Sequence, residues 1–202
     1  MIKNIVFDLG NVLISFKPED FLDKTGYAAD EKNIIINDIF RSREWGLIDN
    51  GDINATEAIE KISARSSLRR EQIASVFNLR SKIMYPINKN TKLLPSLKKR
   101  GFKLYFLSNF PEDIFDEIYD GYEFFRFFDG GIVSSKVRFS KPDIRIFNVL
   151  LEKYSLSAEE CLFIDDIEMN VRAAGSVGMK GICVLESAEL SELIEKELKP
   201  VS

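Results

Sequence analysis

Short apolar runs alternate with segments of helical periodicity along most of the chain. Five runs are predicted to be strands: KNIVFD (3–8), FKLYFLS (102–108), GGIVSS (130–135), ECLFIDD (160–166) and GICVL (181–185). Their apolar residues are continuous rather than alternating, which is typical of strands covered on both faces in a parallel sheet. Helical spacing is found in 90–101, 141–156 and 167–178. The pattern predicts a doubly wound α/β fold with a five-stranded parallel sheet.

The connection after the first strand departs from this alternation. Roughly seventy residues, from about Lys17 to Asn88, precede the next strand and helix unit, which is far too many for a loop. Apolar residues recur there at three- and four-residue spacing, and Asn54 with Glu57 forms a predicted capping box at a helix start. We therefore predict a helical cap subdomain at 17–88, inserted into a core made of 1–16 and 89–202.

Composition and charge limit the class of protein. The chain of 202 residues is 45% hydrophobic, and its net charge of -4 is spread without a block of like charge, so neither a nucleic acid nor a membrane is an expected partner. Cys161 and Cys183 lie within apolar runs, as buried thiols do in a reducing compartment. The first residues do not resemble a signal peptide, so a cytoplasmic location is expected. The oligomeric state stays open.

The chain contains no histidine. This excludes a Ser-His-Asp or Cys-His arrangement, an HExxH zinc site and a histidine general base. Any catalysis must therefore use carboxylates, lysine, hydroxyls, backbone amides and a hard metal ion.

Polar residues collect where the carboxyl ends of the strands are predicted to meet, the usual ligand site of such sheets. They are Asp8 after the first strand, Ser108 and Asn109 after the second, Lys141 before a helix predicted to start at Pro142, and Asp165 and Asp166 after the fourth. Each alone could be a capping, turn or solvated residue. Two adjacent carboxylates, however, repel each other unless a cation compensates them.

The chemistry that needs this set is phosphoryl transfer to an aspartate nucleophile. Asp8 would attack phosphorus, and Asp8 with Asp166 would hold Mg²⁺, a hard cation that keeps few protein ligands. Lys141, the Ser108 hydroxyl and amides near Asn109 would neutralise the phosphate oxygens. The expected partner is a small-molecule phosphate ester.

Four short motifs carry a family resemblance. FDLGNVL (7–13), FLSN (106–109), SKPD (140–143) and FIDDIEMN (163–170) occur in this order over nearly the whole chain. In this the chain resembles the haloacid dehalogenase-like hydrolases, and within them the subgroup of glucose-1-phosphate phosphatase and the N-terminal domain of soluble epoxide hydrolase. The resemblance implies a Rossmann-like core, a C1 cap and Asp8 as the nucleophile.

Gly10 departs from the family pattern. Most phosphatases of the family have a second aspartate at this position, which protonates the leaving group and offers its backbone carbonyl to Mg²⁺. Gly10 keeps only the carbonyl. Loss of a general acid typically costs ~10²–10⁴-fold in rate, so either the enzyme is slow, or another group or a bound water replaces the aspartate.

Three functions remain open at this stage. The leading hypothesis is a Mg²⁺-dependent phosphatase of a small phosphorylated metabolite, with a sugar phosphate as one candidate. The second is a non-catalytic phosphate-binding or regulatory protein that lost turnover through Gly10. The third is a metal-independent 2-haloacid dehalogenase, which the paired acids Asp165 and Asp166 argue against.

Some roles are predicted with alternatives. In the cap, Arg43 and Trp45 could contact the substrate, so that Arg43→Ala would raise KM, or they could serve the packing and surface of the helical bundle. Asn170 could orient Asp166 or water molecules on the metal, or it could face elsewhere. Asp165 could ligate the metal, pair with Lys141 or lie behind Asp166.

Overall fold

The protein is described by a computed structural model over residues 1–185 and 189–198. The strands are β1 (Asn4–Phe7), β2 (Ile14–Phe16), β3 (Met84–Pro86), β4 (Lys103–Ser108), β5 (Gly130–Val133), β6 (Cys161–Asp165) and β7 (Lys180–Cys183). Five of them form a parallel sheet in the order β5-β4-β1-β6-β7, while β2 and β3 form a separate antiparallel pair. The predicted five-stranded parallel sheet is confirmed.

Helices cover both faces of the sheet and fill the long connection after β1. They are α1 (Pro18–Leu22), α2 (Ala29–Ile35), α3 (Arg43–Asp49), α4 (Ala55–Ser63), α5 (Arg70–Asn78), α6 (Arg80–Ile83), α7 (Asn88–Thr91), α8 (Leu94–Lys99), α9 (Glu112–Gly121), α10 (Ser134–Val137), α11 (Ile144–Lys153), α12 (Glu168–Ser176) and α13 (Leu190–Leu198). A π-helical turn at Ile36–Phe40 continues α2, and 3₁₀ turns lie at Glu123–Phe127 and Ala158–Glu160. Within the described ranges, none of the helices combines the length and apolarity needed to cross a bilayer.

The central strand β1 is buried along its whole length. It pairs in parallel with β4 on one side and β6 on the other, so that Ile5 lies beside Leu104 and Leu162. Successive side chains of β1 alternate between two apolar cores, Phe7 in one and Val6 in the other. This burial explains the continuous apolar run in the sequence, and it places the carboxyl ends of three strands at one edge.

The segment between β2 and β3 forms a helical bundle with its own apolar core. That core includes Ile35, Ile62 and Phe77, all buried. The predicted capping box forms at α4, where the Glu57 amide donates to Asn54 Oδ1 at 3.0 Å and the Asn54 amide to Glu57 Oε2 at 2.8 Å. Because β2 and β3 pair with each other, the chain leaves and re-enters the sheet region at adjacent positions. The boundaries 17–88 of the predicted cap stay a prediction.

The helix predicted to start at Pro142 begins two residues later. The Lys141–Pro142 peptide bond is cis, and Asp143 caps α11 by accepting a hydrogen bond from the Arg145 amide at 2.9 Å. Asp143 satisfies a free amide of the first turn, so the helix starts at Ile144.

Candidate active site

Asp8 follows β1 directly, and three donors converge on its Oδ1 atom. The Leu9 amide and the Ser108 hydroxyl each donate to it at 2.7 Å, and Lys141 Nζ lies 2.9 Å away. Asp8 and Ser108 are both buried. Burial raises the pKa of Asp8 to about 6, and the charge of Lys141 opposes that rise. The carboxylate is therefore fixed in orientation and held in a poorly solvated place.

Lys141 bridges two buried aspartates. Its Nζ atom lies 2.6 Å from Asp165 Oδ2 as well as 2.9 Å from Asp8 Oδ1. Burial lowers the pKa of Lys141, but the charges of Asp8 and Asp165 outweigh burial, so the net shift is upward. The ammonium group is therefore held in its charged form between the two carboxylates.

Asn109 holds the backbone of Lys141. Its side-chain amide donates to the Lys141 carbonyl at 2.9 Å, and its Oδ1 atom accepts from the Lys141 amide at 2.8 Å. This reciprocal pair joins the end of β4 to the loop before α11. The side chain of Asn109 thus positions Lys141. Asn109 also lines the cavity described below.

Asp165 is completely buried and its oxygens are occupied by protein donors. Besides Lys141, the Ile167 amide donates to Oδ1 at 2.8 Å, and Asn170 Nδ2 lies 3.1 Å from both oxygens. The sequence allowed three arrangements for Asp165, and in the structure Asp165 pairs with Lys141. Asn170 contacts Asp165 rather than Asp166, because one turn of α12 carries its amide back to the end of β6.

Asp166 faces the turn after β1. Asn11 Nδ2 donates to Asp166 Oδ2 at 3.2 Å, and Asn11 Oδ1 accepts from the Phe16 amide at 3.1 Å. Burial and the neighbouring charge of Asp165 raise the pKa of Asp166. Carboxylate oxygens of Asp8, Asp165 and Asp166 lie within 4.8 Å of one another. Such a set of hard oxygen donors fits a divalent cation such as Mg²⁺, which would offset their mutual repulsion.

A cavity of about 230 Å³ is lined by Asp8 and Asp166. The polar residues of its lining are Asp8, Asn11, Asp49, Ser108, Asn109, Lys141, Asp166 and Asn170, together with Gly10. The apolar residues of the lining, called its wall below, are Ile14, Phe16, Trp45, Met84, Phe110, Pro111 and Ile167. Trp45 packs against Phe16 with ring centroids 5.8 Å apart, and against Phe40 at 5.0 Å. Trp45 therefore lines the cavity and also packs within the helical bundle. Arg43 is exposed and does not line the cavity.

The carboxyl end of α3 docks on the core beside this cavity. The buried Ser134 hydroxyl donates to the Asp49 carbonyl and accepts from the Phe110 amide at 2.9 Å. Ser140 Oγ donates to Asn50 Oδ1 at 2.8 Å. The next residue, Gly51, has a φ of +76°, and a Cβ there would lie 2.5 Å from the Ser135 carbonyl oxygen. The helical bundle and the core are thus in backbone contact at this point.

Gly51→Ala should loosen this contact. The left-handed conformation and the overlap with the Ser135 carbonyl should lower the free energy of unfolding by about 2 kcal/mol or more, measured by urea denaturation. Gly26→Ala is the matched control, since Gly26 has no neighbour within 4 Å of the added Cβ. We expect it to change stability by no more than about 0.5 kcal/mol. Equal stability of the two variants would contradict the docking geometry.

Sequence reasoning missed Asn11 and Asp49. Asn11 has a φ of +52°, a conformation that asparagine tolerates better than most residues, and it follows Gly10 within the first motif. Asp49 stands four residues after Trp45, so one face of α3 brings both to the cavity. The spacing was readable in the sequence, but which face of α3 meets the core was not.

The chain is similar to known proteins in sequence and in fold. The chain is 29% identical over 196 residues to a sesquiterpene phosphatase of Aspergillus oryzae, covering 95% of this chain and 96% of that protein. It is 25% identical over 185 residues to a drimenol cyclase of Aspergillus calidoustus, covering 90% of this chain and 34% of that protein. A HAD family enzyme of Bacteroides thetaiotaomicron, solved with magnesium and inorganic phosphate, matches with a TM-score of 0.75 at 22% identity, covering 96% and 99% of the two chains.

A family model described as haloacid dehalogenase-like hydrolase matches residues 2–178, which is most of the chain. The C1-cap subgroup named from the motifs stays a prediction. The chain belongs to the haloacid dehalogenase-like hydrolase family.

Proposed function

We propose that this hydrolase is a Mg²⁺-dependent phosphatase that acts on a small phosphorylated metabolite through an aspartyl-phosphate intermediate on Asp8. The observation that carries the proposal is the convergence of Ser108 and Lys141 on Asp8, beside Asp166 and beneath a cavity. A phosphatase relative and a family enzyme solved with magnesium and phosphate support the same reaction.

Asp8 and Asp166 would hold the Mg²⁺, with the Gly10 carbonyl as a further ligand. Asp165 is less suited to direct ligation, because Lys141 and Asn170 already occupy its oxygens. When bound, the cation supplies positive charge against the phosphate oxygens and against the acidic cluster itself.

The other roles in the reaction belong to side chains of the protein. Asp8 attacks phosphorus, while Lys141 and the Ser108 hydroxyl donate to phosphate oxygens and neutralise charge that develops in the transition state. Asp165 and Asn109 keep Lys141 in place. Trp45 and Asp49 of α3 contribute to the lining of the cavity.

The cavity wall favours a substrate with an apolar portion. Trp45, Phe16, Ile14 and Met84 form much of the wall, and Lys141 is the basic residue among the described residues that line it. A sugar would leave most of its hydroxyls without partners on such a wall. The similarity to a sesquiterpene phosphatase points in the same direction. We therefore favour an apolar phosphate monoester over the sugar phosphate considered from the sequence.

The proposal is tested with purified protein and a panel of phosphate monoesters, with added Mg²⁺ and with excess EDTA. We expect phosphate release that requires Mg²⁺. Release of halide from 2-haloacids without metal would instead identify a dehalogenase. Phosphate binding with no turnover on any ester would favour the non-catalytic alternative.

Trp45→Ala should test the apolar wall. Removing the indole should raise KM for an isoprenyl monophosphate by about 10-fold or more, because burial of an aromatic side chain against substrate is worth roughly 1.5–3 kcal/mol. KM for a small polar monoester such as glycerol 1-phosphate should change little. Arg43→Ala, which the sequence predicted to raise KM, is measured alongside, and we expect the smaller effect from it because Arg43 lies outside the wall. Equal changes in KM for both esters would contradict the substrate class.

A further inference from the structure

Gly10 leaves this site without the carboxyl group that would protonate a leaving group. The described residues that line the cavity include three carboxyl side chains, Asp8, Asp49 and Asp166. Asp8 is the proposed nucleophile, and Asp166 is a proposed metal ligand that accepts from Asn11. Lys141 is held between two carboxylates and keeps its charge. Asp49 is the cavity carboxyl that the mechanism has not used.

The backbone of Asp49 is fixed at a place where this residue lines the cavity. Its carbonyl accepts from the buried Ser134 hydroxyl, which in turn accepts from the Phe110 amide. Phe110 comes two residues after Ser108, so these bonds tie Asp49 to the end of β4 that carries the phosphate-binding hydroxyl. Trp45, one turn earlier on α3, lines the same cavity. The position of Asp49 is therefore set by the core and not by its own helix alone.

We propose that Asp49 is the general acid and base of this site and takes the place of the aspartate that Gly10 lacks. The inference rests on the proposed phosphatase function. Because Asp49 belongs to the helical bundle, proton transfer would require α3 to be docked on the core.

The surroundings of Asp49 suit this role. Burial raises the pKa of Asp49 to about 7, and the charge of Arg80 opposes the rise. Arg80, on α6, is itself buried and donates to Asp113 on α9 at 2.7 Å. A general acid works best with a pKa near the working pH, because both of its protonation states are then populated.

The proton balance closes over two steps. In the first, Asp8 forms a bond to phosphorus, the bond to the ester oxygen breaks, and that oxygen takes the electron pair and the proton of the Asp49 carboxyl. In the second, Asp49 as carboxylate takes a proton from water, and the water oxygen bonds to phosphorus as the bond to Asp8 breaks. Inorganic phosphate leaves, and Asp49 is again protonated.

The test compares leaving groups in Asp49→Asn. The value of kcat/KM reports only the first step, in which the leaving group departs. 4-Nitrophenolate is stable enough to depart as an anion, whereas an alkoxide must be protonated as it departs. We expect kcat/KM for an alkyl phosphate to fall by about 10²–10⁴-fold and that for 4-nitrophenyl phosphate to fall less than about 10-fold. The asparagine keeps the backbone carbonyl that accepts from Ser134, so docking is retained. Asp52→Asn is the matched control, since Asp52 is exposed in the following turn.

A rescue variant adds a second readout. A Cβ at Gly10 would have Asp8 Oδ2, at 4.0 Å, as its nearest neighbour, so the first carbon of the Gly10→Asp side chain fits without overlap. Added to Asp49→Asn, it should restore at least about 10-fold of the activity lost on the alkyl phosphate, as expected when one general acid replaces another.

The outcomes separate this inference from the function on which it rests. An equal loss of kcat/KM on both esters, or no loss on the alkyl phosphate, would overturn the role of Asp49 while the wild-type activity stands. Absence of Mg²⁺-dependent release by the wild-type chain would overturn the proposed function and this inference together. An unequal loss with rescue by Gly10→Asp supports both.

Discussion

Asp8→Asn is expected to abolish phosphate release, with a fall in kcat on the order of 10⁶-fold, comparable to removal of a nucleophile in other enzymes. The amide has nearly the shape of the carboxylate but cannot form the bond to phosphorus. Ser108 and the Leu9 amide can still donate to the side-chain oxygen of the substituted amide, as they do to Asp8 Oδ1. The phosphate pocket should therefore persist without turnover. The measurement is phosphate release in the presence of Mg²⁺.

Folding of this variant can be checked through its pH dependence. Because the folded pKa of Asp8, about 6, lies above its ordinary value of 3.8, the folded state binds more protons than the unfolded state between these values. The contribution of Asp8 to stability thus falls as pH rises through that window, and Asp8→Asn should remove this fall in the metal-free protein. Asp30→Asn, an exposed aspartate of α2, is the control and should keep both activity and pH profile. Retention of full phosphatase activity in Asp8→Asn would show that another residue is the nucleophile.

The position of Asp8 could be predicted because its strand is readable. β1, β4 and β6 are buried on both faces, and continuous apolar runs mark them in the sequence. Parallel strands bring their carboxyl ends to one edge, so residues far apart in the chain were expected to meet there. Ser108 and Asp8 are separated by 100 positions in the chain, yet Ser108 Oγ lies 2.7 Å from Asp8 Oδ1.

Contacts made by docking could not be predicted in the same way. Asp49 lines the cavity because Ser134 and Gly51 fit the end of α3 against the core, and this fit depends on how two distinct apolar clusters are placed in the tertiary structure. The partner of Asn170 depended on the exact turn after β6. Helical periodicity predicted the face of α12 on which Asn170 lies, but not which aspartate its amide reaches. Asp165, which it contacts, is completely buried, and the adjacent Asp166 is half-buried. Local pattern therefore located the site, while side-chain partners required the tertiary structure.

Lys141→Met is expected to destabilise the protein by about 3–5 kcal/mol in the absence of metal, because it leaves buried carboxylates without their cation. Asp165 is fully buried and Asp8 nearly so, and Lys141 Nζ lies 2.6 Å and 2.9 Å from their oxygens. Methionine fills similar volume, so the loss reflects charge and not a cavity. Lys136→Met is the matched control, since Lys136 pairs with Asp116 at the surface and such pairs contribute roughly 0–1 kcal/mol.

A double variant separates charge pairing from packing in this prediction. Asp165→Asn added to Lys141→Met should destabilise less than the sum of the two single changes, because it removes the carboxylate that the first change leaves unpaired. The pH dependence of stability tests the role of the Lys141 charge independently.

Lys141 opposes the upward shift of the pKa of Asp8, so its removal raises that pKa further. The stability of Lys141→Met should therefore continue to fall as pH rises above about 6, where the fall that Asp8 causes in the wild type ends. Parallel pH profiles and additive free energies of unfolding would mean that Lys141 holds the site by packing, and that Asp8 and Asp165 are balanced by something other than its charge.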